Sequence, residues 1–228
     1  MDHNPRATTR SAEAADIFCV DPAIATERLR TVPWRRLAIL GDSVTAGVHE
    51  PTPGYEDRSF SDRLVDALAE THPGFESVNL ARPGLEIAQI RHEQLLPALV
   101  FEPDAVLVSA GANDAFHASF HPSVLEAELE GLLGPFAERG ISIVTIGLFD
   151  LARSGLVPEQ HVSSMARRWD ELDRVTSRVC RRLGGVHADG HHHPLASDPS
   201  IFSSDRIHAN ARGHAVAFAT IVDAVTGA

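Results

Sequence analysis

The chain of 228 residues has few cysteines, no basic excess and no long hydrophobic run, and each shortage narrows its function. Its two cysteines, Cys19 and Cys180, lie far apart and in no metal-type spacing, so a disulfide framework is not expected; both are read as free thiols in a reducing compartment. Lys and Arg total 20 against 31 Asp and Glu, a formal net charge of −11. Such a surface repels phosphate backbones and anionic lipid, which argues against nucleic-acid or membrane-surface binding. The longest apolar stretches, residues 105–110 and 141–149, have the length of strands and are too short to span a bilayer. The first twenty residues carry Asp2, Arg6, Arg10, Glu13 and Asp16 and no continuous apolar segment of the secretory kind. A cytoplasmic chain without membrane insertion is the expectation.

What is present is ordinary globular composition, 43% hydrophobic and 22% charged, enough to bury a sizeable core. Residues 1–10 are polar and expected to fray. Residues 21–30 read as a helix, with Pro22 early in it after a possible Asp21 cap. The run RRLAILGDS is a buried strand entering a turn. Helical spacing then predicts helices over residues 59–70, 87–96, 123–139, 158–183 and 210–225. Between them, residues 75–80, 104–109, 141–146 and, more weakly, 185–189 read as strands. Strands alternating with helices imply a mostly parallel sheet covered on both faces. The expected architecture is α/β: a three-layer, flavodoxin-like, doubly wound sheet of five parallel strands in the order 2-1-3-4-5. Residues 1–30 are read as an N-terminal extension with a short helix and residues 31–228 as a single domain.

In such a sheet functional groups gather at the carboxyl ends of the strands, and three segments fall there. Gly41-Asp42-Ser43-Val44-Thr45-Ala46-Gly47 follows the first strand. A serine where a strand turns into a helix presents its hydroxyl openly, and its N–H at a helix start favours a developing negative charge. Gly111-Ala112-Asn113-Asp114 follows the third strand, and the Asn113 amide can donate into the same crevice. Ser204-Asp205-Arg206-Ile207-His208 precedes the last helix. A carboxylate three residues before a histidine can turn back to accept its Nδ1–H, leaving Nε2 free as a base. Each segment alone has an ordinary explanation: a helix cap at Ser43, an Asx-type turn at Asn113, a solvated loop histidine at 208. Together they supply a nucleophile, a donor and a base with its orienting carboxylate, and Asn79-Leu80-Ala81-Arg82-Pro83-Gly84 adds a Gly84 N–H.

GDSVTAG around Ser43, the glycine of NLARPG, GAND around Asn113 and DRIH around His208 resemble, in order and spacing, the four blocks of the SGNH/GDSL hydrolases. The resemblance runs from about Leu37 to Val225. It implies a serine esterase of the flavodoxin-like fold, with Ser43 as nucleophile and Asp205 and His208 completing a triad. It further implies an oxyanion hole from the Ser43 N–H, the Gly84 N–H and the Asn113 side chain, with no cofactor and no metal. The chain departs from the family in having Ala209 where proline often follows the histidine, and NLARPG is the loosest block.

Other features read as structural. The run His191-His192-His193 should send its rings in different directions, with no carboxylate set at ligand spacing beside it. Met165 and Trp169 read as core, and Glu126, Glu128 and Glu130 as the solvated face of a helix. Arg82 is read as facing either substrate or solvent. The pocket is expected to be shaped by residues 49–59, 116–121 and 148–161, which hold no long apolar lid. That favours a small-molecule ester partner of short acyl chain. An acyltransferase using the same acyl-enzyme, or a binding module without catalysis, remain as alternatives.

Overall fold

A computed structural model describes residues 11–227; the fraying expected at residues 1–10 lies outside them. Five parallel strands, β1 (Arg36–Gly41), β2 (Glu76–Asn79), β3 (Ala105–Ser109), β4 (Ser142–Ile146) and β5 (Val186–Ala188), form one sheet. They are ordered β2-β1-β3-β4-β5, as the alternating pattern predicts. The helices are α1 (Pro22–Leu29), α2 (Phe60–Thr71), α3 (Ile87–Val100), α4 (Ala112–Phe116), α5 (Pro122–Ala137), α6 (Glu159–Arg182) and α7 (Ala211–Thr226).

Successive strand residues point to opposite faces. Leu37, Ile39, Ala105 and Leu107 therefore pack into one core with α1, α2 and α7. Ala38, Leu40, Val106 and Val108 pack into a second core with α3, α5 and α6. That split makes the three layers. Local chemistry sets the helix ends: Asp21 accepts the Ala23 and Ile24 N–H groups at the start of α1, Ser59 caps α2 and Asn210 caps α7. α3 runs past its expected end through Pro97, whose carbonyl still accepts the Phe101 N–H.

Glu126, Glu128 and Glu130 do not merely face solvent. They pair with arginines of the neighbouring helices, Glu126 with Arg178 at 2.7 Å and Glu128 with Arg91 at 2.7 Å, while Glu130 meets Arg182. Cys19 and Cys180 are both unpaired, and burial pushes the Cys19 thiol up to about 12. No helix among the described residues is long and apolar enough to cross a membrane.

The chain leaves β1 through α2 on one face of the sheet and leaves the adjacent β3 through α5 on the other. The crevice opened at that switch point is where β1, β2 and β3 end.

Candidate active site

The turn after β1 depends on the absence of a side chain at Gly41. Its φ is +144°, and a Cβ there would stand 2.1 Å from both the Ser109 carbonyl oxygen and the Thr45 Oγ1. The buried Gln94 grips the same residue from both sides: the Gly41 N–H donates to its Oε1 at 2.8 Å and its Nε2 donates to the Gly41 carbonyl at 2.9 Å. Asn79 Nδ2 and Ser61 Oγ both donate to the Thr45 carbonyl, at 3.0 and 3.1 Å. The chain following Ser43 was expected to enter a helix at once. It forms hydrogen-bonded turns instead, because the Asp42 carboxylate accepts the Val44 N–H at 3.0 Å and Gly47 takes φ +83°. The next helix begins only at Phe60.

Asp42 is 1% exposed, and its Oδ2 is buried without a hydrogen-bond partner among the described residues. Burial pushes its carboxyl up to about 6, against the Val44 N–H and the neighbouring His208, which pull it down. The folded protein therefore binds more protons here than the unfolded chain between about pH 4 and pH 6. This contribution to stability is present at low pH and lost as pH rises through that window. Asp42→Asn should abolish the loss. The stability of the wild type relative to the variant should fall from pH 4 to pH 7 by at most about 3 kcal/mol, one pKa unit being worth about 1.36 kcal/mol. Parallel denaturation curves at several pH values read this directly, and a constant difference would refute it.

The loop before α7 is clasped by a bridge between Phe202 and Ala209 and by the Ser203 N–H donating to the His208 carbonyl at 2.8 Å. Within it Arg206 adopts φ +60°, which turns the chain so that Asp205 faces back on His208. Asp205 Oδ1 accepts the Ile207 and His208 N–H groups at 2.9 and 3.0 Å, and Oδ2 accepts from His208 Nδ1 at 2.6 Å. Burial alone would raise the Asp205 carboxyl, but these bonds outweigh it and hold it below its ordinary range. The His208 Nε2 lies 2.8 Å from Ser43 Oγ. The structure thus brings Ser43, His208 and Asp205 into one hydrogen-bonded line across 165 residues of sequence.

Asn113 sits in α4, a single turn not anticipated from the sequence. It starts at Gly111, whose φ of +97° and close approach to Leu172 leave no room for a side chain. One amide hydrogen of Asn113 Nδ2 is donated to the Leu85 carbonyl at 2.9 Å, and Asp114 accepts the Ile87 N–H at 3.0 Å. The loop after β3 therefore holds the loop after β2, and Gly84 and Asn113 both reach the cavity that Ser43 and His208 line.

That cavity has a volume of about 360 Å³. Beyond its few polar groups its wall is apolar, with Phe116, Leu148, Phe149, Leu151, Trp169 and Ile207 prominent. Phe116 and Trp169 meet edge to face at 5.1 Å, and the Trp169 N–H is spent on the Phe149 carbonyl at 3.1 Å. Trp169 is buried as expected of core, but it is also cavity wall. Of the segments expected to shape the pocket, those around 116 and 148–151 do so, whereas none of residues 49–59 lines it. Glu50 serves instead as a buttress: its carboxylate accepts the Ser204 N–H at 2.8 Å and also the Ser204 hydroxyl, and its carbonyl accepts the Ala211 N–H. Arg82 pairs with Glu93, faces solvent and is not part of the cavity lining.

The three consecutive histidines do point apart. His191 Nε2 meets Asp170 at 3.1 Å, His192 Nδ1 meets Asp189 at 2.9 Å, and the His193 ring lies edge-on to Phe18 at 5.3 Å. Contrary to the expectation from spacing, carboxylates do accompany them, because α6 delivers Asp170 and Asp173 from a distant part of the chain.

A sequence model described as the GDSL-like Lipase/Acylhydrolase family matches residues 39–216. Among solved structures, a catalytic mutant of Axe2, an acetylxylan esterase from Geobacillus stearothermophilus, superposes with a TM-score of 0.68 at 17% identity, covering 84% of this chain and 94% of that one. LAE5, an alpha/beta hydrolase enzyme from the metagenome of Lake Arreo, Spain, superposes with a TM-score of 0.65 at 22% identity, covering 85% and 95%. These likenesses show a shared fold. A comparison with curated proteins finds no match.

Proposed function

Because the chain belongs to the GDSL-like lipase/acylhydrolase family, and is thus a carboxylic ester hydrolase, we propose that it works through an acyl-enzyme on Ser43. The observation that carries this reading is the line from Ser43 Oγ to His208 Nε2 at 2.8 Å and from His208 Nδ1 to Asp205 at 2.6 Å, opening on an apolar cavity. His208 takes the Ser43 proton as the oxygen attacks the ester carbonyl, and Asp205 holds the imidazole in the tautomer that accepts it. The charge on the resulting oxyanion is met by the Ser43 and Gly84 N–H groups and by the Asn113 amide hydrogen not used by Leu85. Collapse expels the alcohol, protonated by His208, and leaves the acyl group on Ser43. Water, deprotonated by the same imidazole, then releases the acid and restores the serine. None of these steps calls on a cofactor.

The substrate proposed is an ester with a short to medium unbranched acyl chain. Beyond the polar groups assigned to the reaction the cavity wall is mostly apolar, its Trp169 N–H and His214 Nδ1 being engaged by the Phe149 carbonyl and the Phe60 N–H, so it suits the acyl side of the ester. Burying one methylene is worth about 0.8 kcal/mol, or roughly fourfold in kcat/KM. Across p-nitrophenyl esters from acetate to palmitate, kcat/KM should climb by that factor per methylene over the first additions, then fall once the chain outgrows the cavity. A steady decline from acetate onward would contradict this assignment of the cavity. Appearance of a new ester in place of the acid, when a candidate acceptor alcohol is added, would move the reading to acyl transfer.

A further inference from the structure

A second constellation lies in a depression that shares no lining residue with the ester cavity. Here α6 supplies Asp173, β5 supplies His187, and the chain just beyond β5 supplies Asp189 and His192. One ligand atom each from Asp173, His187 and Asp189 lie within 4.8 Å of one another. We propose that Asp173, His187 and Asp189 bind one divalent transition-metal ion of the zinc type, at a site separate from the ester-cleaving centre, with His192 beside them on Asp189.

The geometry carries the assignment. His187 Nε2 stands 3.2 Å from Asp173 Oδ1, and His192 Nδ1 stands 2.9 Å from Asp189 Oδ1 and 3.9 Å from Asp173 Oδ2. A tetrahedral ion with bonds of about 2.0–2.1 Å has ligand-to-ligand edges of about 3.3 Å, so a small closing of the Asp173, His187 and Asp189 atoms would seat it, with water completing the shell. His187 is also oriented from behind: its Nδ1 bonds the buried Thr145 Oγ1 at 2.8 Å, which leaves Nε2 for the cluster. Such outer partners are what fix a ligating imidazole. The close approach depends on Gly147 at the end of β4, where a Cβ would stand 2.4 Å from Asp173 Oδ1 and 3.2 Å from His187 Nε2.

Charge points the same way. Asp173 is 7% exposed, and neither it nor Asp189 is paired with an arginine among the described residues. Arg181 lines the same depression, whereas Arg174 and Arg178 are engaged by Glu171 and Glu126. A buried carboxylate is costly unless paired or coordinating a metal. Two carboxylates with no arginine partner among the described residues make a negatively charged site that suits a divalent cation. An imidazole nitrogen with two carboxylate donors suits zinc over magnesium or calcium.

The test starts from chelator-stripped full-length protein, to which ZnCl₂ is added. Equilibrium dialysis should find one zinc per chain. At about a hundredfold excess over the dissociation constant, the melting temperature should rise by roughly 5–10 °C. Asp189 is exposed, so Asp189→Asn and Asp189→Ala should leave the metal-free melting temperature within about 2 °C. Each should lose most of the zinc-dependent rise, and the bound zinc should be retained in His208→Ala. The proposal is overturned if the wild type shows no rise, if both ligand variants keep the full rise, or if His208→Ala abolishes binding. The last result would place the ion on Ser43's own histidine. None of these readouts depends on ester hydrolysis, so the outcome stands apart from the role assigned to Ser43.

Discussion

Ser43→Ala should lower kcat for ester hydrolysis by about 10⁴–10⁶-fold while leaving KM nearly unchanged, because on the proposed mechanism it deletes the attacking atom and nothing that holds the ground state. The fold should survive the change. The turn is held by Gln94 on Gly41, by Asn79 and Ser61 on the Thr45 carbonyl and by Asp42 on the Val44 N–H. None of these contacts uses the Ser43 hydroxyl, whose hydrogen bond is to His208. Activity remaining within tenfold of wild type, in freshly purified variant with an unchanged melting temperature, would mean that another group attacks the ester.

Asp205→Asn should cost about 10³–10⁴-fold in kcat, for a reason specific to protons. The asparagine carbonyl can still accept the Ile207 and His208 N–H groups that Asp205 Oδ1 now accepts. Its amide, however, must face the position of Oδ2 and can only donate to His208 Nδ1. That places the imidazole proton on Nε2, which then donates toward Ser43 and no longer accepts from it. The Asp205 side chain is 43% exposed, so solvent shares the work of stabilising the imidazolium and the cost should fall below that of removing the nucleophile. Steady-state kinetics on the best p-nitrophenyl ester measure both variants together, and an Asp205→Asn enzyme of wild-type rate would remove the carboxylate from the mechanism.

The central strands were legible because the sheet buries both their faces, as the apolar runs LAIL of β1 and AVLV of β3 show, and helices with clear spacing separate them. The strand β2 is mostly exposed and is marked instead by the turn residues that follow it. That Ser43, Asn113 and His208 would meet at one cavity was legible because strand ends and short motifs are local, and the fold carries local positions to a predictable edge of the sheet. What escaped was everything that depends on distant partners. Gln94 looks like one more polar helix residue, yet it holds the Gly41 peptide from 53 residues away. Glu50 carries no signal of its bonds to Ser204, 154 residues on. The single turn of α4 is too short for helical spacing to register. The turns after Ser43 were mistaken for a helix start because the competing Asp42 side chain and the positive φ of Gly47 are invisible in a hydrophobic pattern. Likewise two of the carboxylates beside the histidine run, Asp170 and Asp173, arrive from α6, where their spacing reads as an ordinary polar face.

The central claim is that Ser43 becomes covalently acylated. Treatment with a p-nitrophenyl alkylphosphonate, followed by intact-mass and peptide mass spectrometry, tests it most directly. The account predicts one adduct per chain, on the peptide containing Ser43, formed in step with loss of esterase activity and absent from Ser43→Ala. An adduct on another residue, or full inactivation with Ser43 unmodified, would contradict it.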